Sequence, residues 1–451
     1  MEGLEISVVK LSELNNESRI EAEYFSKENL KLLANLSNYG CIPIFNVANS
    51  VTDGIHTSID YDENSSINLI SAGSPKENVF DLSRSVFISE KAHKENPRTA
   101  LRKNDVVIST VGTIGNCAVV DESILPANSD RHVGIVRLNV EKYSPYVLST
   151  FLLSKYGRMQ TLRESTGNVQ LSLFLYKIRE LLIPNFSDTF QSQIESIVKS
   201  AHAKLEESKS LYSQAEDLLL GELGLKDWQP KNTLYTTKKF SDFAQSGRLD
   251  AEYYQPKYDD LFERLQKVDC KTIKEIQIIN YRGFQPEYVE NGKIDVINSK
   301  YILEDGLDYE NFEKTDEVSF NNAVRAQVKY GDILTYTTGA NIGRTQVYLS
   351  EKKAMASNHV NMLRVKDVNP IYLALVLNSK IGRMQTEKSS TGSAQVELYP
   401  DDLASFVIPI LPESIQTKIA SLIQQSFECK AQSKQLLEDA KRMVEAEIEK
   451  N

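Results

Sequence analysis

The chain has 451 residues, 41% apolar and 25% charged, the balance of a globular protein with room for two or three domains. Its formal charge of −10 argues against binding nucleic acid by bulk charge alone, while leaving room for local basic faces or a basic partner subunit. No run approaches the roughly 18 apolar residues of a membrane span, and the acidic start MEGLEISVVKLSEL lacks the pattern of a secretory signal.

In chain order, the motif RIEAEYF (Arg19 to Phe25) comes first. The loop VTDGIHTSIDY follows, then a short strand, INLIS, from Ile67. The segment KAHKENPRTALRK (Lys91 to Lys103) sets five basic residues against Glu95. Such runs are usually solvated faces; the other reading is a phosphate track through Lys94, Arg98, Arg102 and Lys103. DVVISTV is a half-buried strand leading to the turn Gly112-x-x-Gly115. Those glycines either permit φ > 0 or clamp a nucleic-acid backbone. RHVGIVRL is a strand that starts after His132, whose ring caps a turn or contacts DNA. Ser144-Pro145 opens a helix through YVLSTFLLSKYGRMQTL. A long helix follows from about Gln191 to Leu220. Its seam is Ile194, Val198, Ala201, Leu205, Ser208, Tyr212, Ala215 and Leu219, and Gly221 and Gly224 stop it before Pro230. The stripe is too narrow for a large core and fits one partner helix.

The same series is then repeated in order. RLDAEYY returns from Arg248, IDVIN from Ile294, GDILTYTTGANIG from Gly331 and NHVNMLRV from Asn358. Gly157-Arg158-Met159-Gln160-Thr161 returns as Gly382-Arg383-Met384-Gln385-Thr386, and Ser165-Thr166-Gly167 as Ser390-Thr391-Gly392. The second long helix carries Ile419, Ile423, Ser426, Lys430, Ser433, Leu437, Ala440 and Val444 on its seam. The repeat unit is a mixed domain of about 180 residues plus a long helix, written twice. Expected boundaries are a first domain at 1–186, a helix at 187–228, a second domain at 229–411 and a helix at 412–451.

No GxxxxGK[ST] loop, Gly-rich dinucleotide fingerprint, HExxH or GxSxG motif occurs, and the five histidines are scattered. Cys41, Cys117, Cys270 and Cys429 have no metal spacing and read as inert thiols of a reducing cytosol. No catalytic site, cofactor or metal is expected, and a cytoplasmic location is. The copies differ where loops should be. Ser71 faces Asn298 in the alignment, Thr113 faces Asn341 and Arg131 faces Asn358. That pattern suits one scaffold displaying two sets of base-reading groups. The candidate DNA contacts are His56, Thr57, Ser71, Lys76, Lys94, Arg98, Arg102, Lys103, Thr113, Arg131 and His132 in the first copy. In the second they are Tyr281, Arg282, Gln285, Asn298, Lys300, Asn341, Arg344, Asn358 and His359. The acidic stretch Glu304 to Glu317 should face away from DNA. The shared RMQ and STG blocks should serve the scaffold and subunit docking.

On RLDAEYY, GDIL…TTGANIG, NHVNMLRV, STGSAQVEL and VIPILPESIQTKI, present in order and twice, the chain resembles the DNA-specificity subunit of a type I restriction–modification system. Two departures are Asn104-Asp105 in place of Gly331-Asp332, and FSDTFQSQI where such subunits usually show a Pro-Leu-x-Glu-Gln-like helix entry. The resemblance implies an α+β fold of two tandem target-recognition domains, separated by two long antiparallel coiled-coil helices and related by a pseudo-twofold axis. It implies that each domain reads one half of a split double-stranded DNA site. The helices would set the gap and dock two adenine methyltransferase subunits, with motor-nuclease subunits joining them and no membrane involved. A helix of about 30 residues spans roughly 45 Å, comparable to one turn of B-DNA plus a few base pairs. The competing classes are a coiled-coil scaffold without a nucleic-acid role and a standalone DNA-modifying enzyme. An adenine methyltransferase would need an Asn/Asp-Pro-Pro-aromatic loop, and the sequence has none.

Overall fold

The computed structural model describes residues 6–11, 19–167, 169–230, 233, 235–392 and 396–450. Asn168 and residues 393–395, in the two STG loops, lie outside them, as do residues 12–18, just before the motif RIEAEYF. The chain divides into two compact units, Met1–Leu205 with Lys430–Asn451, and Glu206–Cys429. Helices and small sheets mix in both, an α+β fold.

The first unit is built on an antiparallel sheet in the order Ala48–Asp53, Val133–Leu138, Val106–Ser109, Cys117–Val119. A second sheet runs Val86–Ile88, Ile67–Ile70, Ala127–Ser129, its last pair parallel. The strand VVIS, expected to be half-buried, is instead covered on both faces, which accounts for its unbroken apolar run. Val106 and Ile108 pack with Phe151 and Ile178, and Val107 packs with Ile70 and Ile135.

The second unit repeats this plan. Its antiparallel sheet runs Gln277–Arg282, Val360–Val365, Ile333–Tyr336, Thr345–Val347. Its other sheet runs Glu313–Thr315, Ile294–Ile297, Ala354–Ala356, Gln327–Val328, again with one parallel pair. Details recur as well. Tyr143 donates to the Pro184 carbonyl and Tyr372 to that of Pro409. The Cys41 and Cys270 thiols donate to the Leu36 and Leu265 carbonyls, and burial pushes each up to about 11.

Two sequence expectations need correction. The single helix expected after Ser144-Pro145 is two, Pro145–Leu153 and Lys155–Glu164, and the second copy likewise has Pro370–Asn378 and Lys380–Ser389. Ser154 makes the break. Its hydroxyl donates to the Phe151 carbonyl and accepts from the Gly157 amide, so it ends one helix and caps the next. The bend presses the chain onto itself. A Cβ on Gly157 would sit 2.3 Å from the Phe151 carbonyl oxygen, and one on Gly382 2.2 Å from that of Leu377. This is why both copies need glycine there.

The second correction concerns the long helices, Asp188–Glu222 and Glu413–Ile448. Gly221 lies inside the first of them; the chain turns at Gly224, whose φ is +62°, with the Leu225 amide bonded to the Leu220 carbonyl. The seam residues are not reserved for a partner helix. Ile194 and Val198 join Ala440, Val444 and Ile448 in the core that holds Phe151 and Ile178. Ala215 and Leu219 join Ile419 and Ile423 in the core of Ile333, Tyr372 and Phe406. In each unit an early part of one helix therefore meets a late part of the other, an antiparallel pairing. Toward the helix middles the seam turns small and polar, with the buried Ser208 and Ser426 hydroxyls 3.1 Å apart.

Each unit also buries an aspartate against an arginine. Asp105, 1% exposed, accepts from Arg137 Nε at 2.8 Å and Nη2 at 2.7 Å. Asp332, fully buried, accepts from Arg364 at 2.6 and 2.8 Å. Asp105 and Asp332 also accept from the Arg102 and Lys329 amides, which closes the turn before the central strand. That turn needs a left-handed residue, supplied as Asn104 (φ +71°) or Gly331 (φ +86°), so the Asn-for-Gly departure conserves the geometry. Replacing Asp105 by alanine leaves Arg137 and that amide without their acceptor. The expected loss is about 3 kcal/mol, the low end of the range for breaking a buried pair because Arg137 is 22% exposed. Hydrogen exchange followed by mass spectrometry should show faster exchange across residues 100–138 and no change across 327–365.

Candidate nucleic-acid interface

In the first unit the ends of several strands converge on one edge. The Ile55 amide donates to the Ser129 carbonyl at 2.8 Å, Asp130 to Ile70 at 3.0 Å, and Thr110 to His132 at 3.0 Å. Gly54 lies so close to the strand behind it that a Cβ would stand 2.1 Å from the Ser129 and Asp130 carbonyl oxygens. These contacts gather His56, Thr57, Ser71, Thr113, Arg131 and His132 at the edge. Arg98 joins them, its guanidinium 3.1 Å from Asp53 Oδ1 and 3.4 Å from the Gly54 carbonyl. His56 lies 2.6 Å from Asp53 Oδ2. Burial alone would raise the Asp53 carboxyl, but the hydrogen bonds from His56 and Arg98 outweigh it and hold it below the usual range. Thr113 donates to the Ala72 carbonyl at 2.9 Å, tying its turn to the Ser71 loop.

The remaining first-copy candidates are elsewhere. Lys94 pairs with Glu90 at 2.6 Å within its own helix, and Lys103 pairs with Glu122 at 2.7 Å. Arg102 is exposed beside Lys103. The basic run therefore divides, with Arg98 alone anchored at the edge. Lys76 pairs with Asp81 across a hairpin whose tip residue, Asn78, has its carbonyl 2.8 Å from His202 on the long helix. The His132 and His359 backbone carbonyls accept from the Thr110 and Thr337 amides. The His132 ring accepts from Arg131 Nε at 3.3 Å and lies 3.8 Å from the Asp130 carboxylate in the same turn, and His359 is exposed.

The second unit forms the matching edge. Gly283 would place a Cβ 2.1 Å from the Ala356 carbonyl, the Phe284 amide donates to Ala356, and Ser357 donates to Ile297. Tyr281, Arg282, Gln285, Asn298, Asn341, Asn358 and His359 lie on or beside these strand ends. Arg282 donates to the Leu398 carbonyl at 3.1 Å and lies over the Tyr399 ring at 5.0 Å. A polar chain runs from Gln285 to the Tyr288 hydroxyl, on to Asn298, then Glu313 and Lys300. Glu313, hydrogen-bonded to Lys300 at 2.5 Å, pushes that ammonium well up. Tyr288 escaped the sequence reading. Glu313 and Glu304 belong to the acidic stretch expected to face away from DNA, yet Glu313 bonds Asn298 and Lys300 beside the edge and Glu304 pairs with Arg344, because neighbouring cations and amides take up their charge.

Residues shared by the copies form the frame behind the edge. Gln160 and Gln385 each exchange two hydrogen bonds with backbone, at Leu182 and Val407. Met159 and Met384 are buried. Thr161 and Thr386 lie directly beneath Gly115 and Gly343. The STG loops reach the edge itself, where the Leu173 amide donates to Thr110 and the Leu398 amide to Thr337. Among the described residues, no group of three or more His, Cys, Asp or Glu is placed to hold a metal ion, and no helix is long and apolar enough to cross a membrane.

Residues 266–442 match the family model described as the type I restriction modification DNA specificity domain. Among solved structures, the S subunit of a type I restriction–modification system from M. genitalium is 14% identical, with 91% of this chain and 94% of that chain covered and a TM-score of 0.42. The HsdS subunit from Thermoanaerobacter tengcongensis is 15% identical over 91% of this chain and 95% of that chain, with a TM-score of 0.28. No curated protein matches. The second unit thus carries a DNA specificity domain, and the first unit repeats its sheets, its buried Asp–Arg pair and its close-packed edge glycine. Over residues 266–442 the chain is similar to the type I restriction–modification DNA specificity family.

The Gly283→Ala variant tests the edge. Its methyl group meets backbone rather than a movable side chain, so the loop must shift, at a cost of about 1–3 kcal/mol. Thermal unfolding should show the second unit destabilised.

Proposed function

We propose that each unit reads one half of a bipartite double-stranded DNA sequence through its loop edge. The long helices set the spacer between the halves and dock two adenine methyltransferase subunits, and motor-nuclease subunits complete the restriction complex. The chain itself supplies recognition and no chemistry, takes no cofactor, and works in the cytoplasm.

The observation that carries this reading is one frame with two different edges. Strand order, buried Asp–Arg pair, edge glycine and Gln-to-backbone clamp recur in both units. At corresponding edge positions stand Ser71 and Asn298, Thr113 and Asn341, Arg131 and Asn358. Arg, Asn, Gln and His are the side chains that pair with base edges in the major groove.

Exchange of residues 1–186 for the matching domain of a related specificity subunit tests the assignment. Methylome sequencing of cells carrying the hybrid with its modification subunits should show one half-site replaced and the other intact. A change in both halves, with methylation retained, would contradict one reader per half.

A further inference from the structure

The two copies of the GRMQT motif are identical in sequence, but their arginines are not used alike. In the first unit Arg158 is fully engaged. It donates to the Ile114 carbonyl at 3.2 Å, to Asn116 Oδ1 at 2.5 Å and to Glu77 Oε1 at 2.9 Å. In the second unit, Arg344 follows Gly343 where Asn116 follows Gly115. A guanidinium has no lone pair to offer another guanidinium. Arg383, the counterpart of Arg158, accordingly makes no side-chain hydrogen bond or ion pair among the described residues and is exposed.

Arg383 and Arg344 line a notch of about 340 Å³ together with Asn341, Gly343 and Glu304. Its remaining wall includes Glu387, whose carboxylate is taken by Lys257 at 2.5 Å. Arg344 reaches Glu304 at 3.3 Å and Asn341 Oδ1 at 3.1 Å. The turn contributes donors as well. Gly339 and Gly343 have φ of +110° and +82°, and the successive amides of Ala340 and Asn341 donate to nothing among the described residues. Consecutive free amides on such a turn make an anion-binding concavity. The turn follows the strand Ile333–Tyr336, beyond which the Thr337 amide bonds the His359 carbonyl at the reading edge.

We infer that Arg344, Arg383 and the Ala340 and Asn341 amides form a binding site for a backbone phosphate of DNA, present in the second unit and absent from the first. The inference rests on the DNA-reading function proposed above. Ala340, Asn341, Arg344 and Arg383 all line this one notch, and a phosphate offers several acceptor oxygens to guanidinium and amide donors. The site positions the duplex without reading it, because phosphates carry no sequence information.

The test is Arg383→Gln in the full chain assembled with its modification subunits. Binding to a duplex with the methylome-defined site, and to a scrambled duplex, is measured against salt concentration. Loss of one phosphate contact should flatten the slope of log K against log salt by about 0.9 on both duplexes. Arg383→Lys should retain most of the slope, and Arg158→Gln should leave it unchanged. An unchanged slope for Arg383→Gln would overturn the inference, as would an equal flattening by Arg158→Gln. Failure of Arg383→Gln to assemble with the modification subunits would also overturn it, by making the notch a docking site for an acidic side chain. Absence of any salt-dependent DNA binding by the unaltered complex would sink the DNA-reading function itself, a different outcome from either.

Discussion

The apolar seam of each long helix has to serve two hydrophobic cores. Ile194 and Val198 are completely buried in one core and Ala215 and Leu219 in the other, along the same helix. Ile419 and Ile423, then Ala440, Val444 and Ile448, divide the second helix in the same way. Full burial of an Ile, Leu or Val side chain is worth about 1.5–3 kcal/mol, so sliding either helix along its axis would empty filled sites in both cores at once. Between these anchors the seam is small and polar. The Ser208 and Ser426 hydroxyls are hydrogen-bonded to each other, and Ser426 also donates to the Ser208 carbonyl at 2.8 Å. A buried polar pair of this kind is satisfied in one register and left unpaired in others.

Most of what the two copies share lies behind the edge, and several of the positions at which they differ lie on it. The shared interactions are those that tolerate no substitution without a buried polar group losing its partner or a methyl group entering backbone. Asp105 and Asp332 each need an arginine and an amide. Gly157 and Gly382 each need the absence of a side chain. Asn104 shows how far such a position can drift, since asparagine is the substitute for glycine that best accepts the left-handed conformation. The edge loops carry no comparable constraint beyond Gly54 and Gly283, so their side chains are free to differ and thereby to recognise different ligands.

Much of this was legible in the sequence. The duplication, the central strands and the helical seam follow from periodicity and repeated motifs, which reflect burial. The break at Ser154 was not legible, because an isolated serine within an apolar helical run looks like any polar interruption until its hydroxyl is seen bridging two helices. Charge placement was not legible either. Arg98 and Lys103 sit in one basic run, yet Asp53 draws one to the edge and Glu122 draws the other to a different partner. Arg158 and Arg383 are indistinguishable within their motif. Their different roles depend on Asn116 and Arg344, about forty positions earlier in each copy, a distance over which composition and periodicity carry no signal.

The proposal that the helices act as the ruler between half-sites can be tested directly. Four helical residues inserted near Ser208, with four more near Ser433 to keep the antiparallel seams matched, lengthen the pair by about 6 Å, close to two base pairs at about 3.4 Å each. Methylome sequencing of cells carrying this variant with its partner subunits should find both half-site sequences unchanged and the spacer longer by one or two base pairs. Retained methylation with an unchanged spacer would contradict the ruler and assign the spacing to contacts made by the recognition domains.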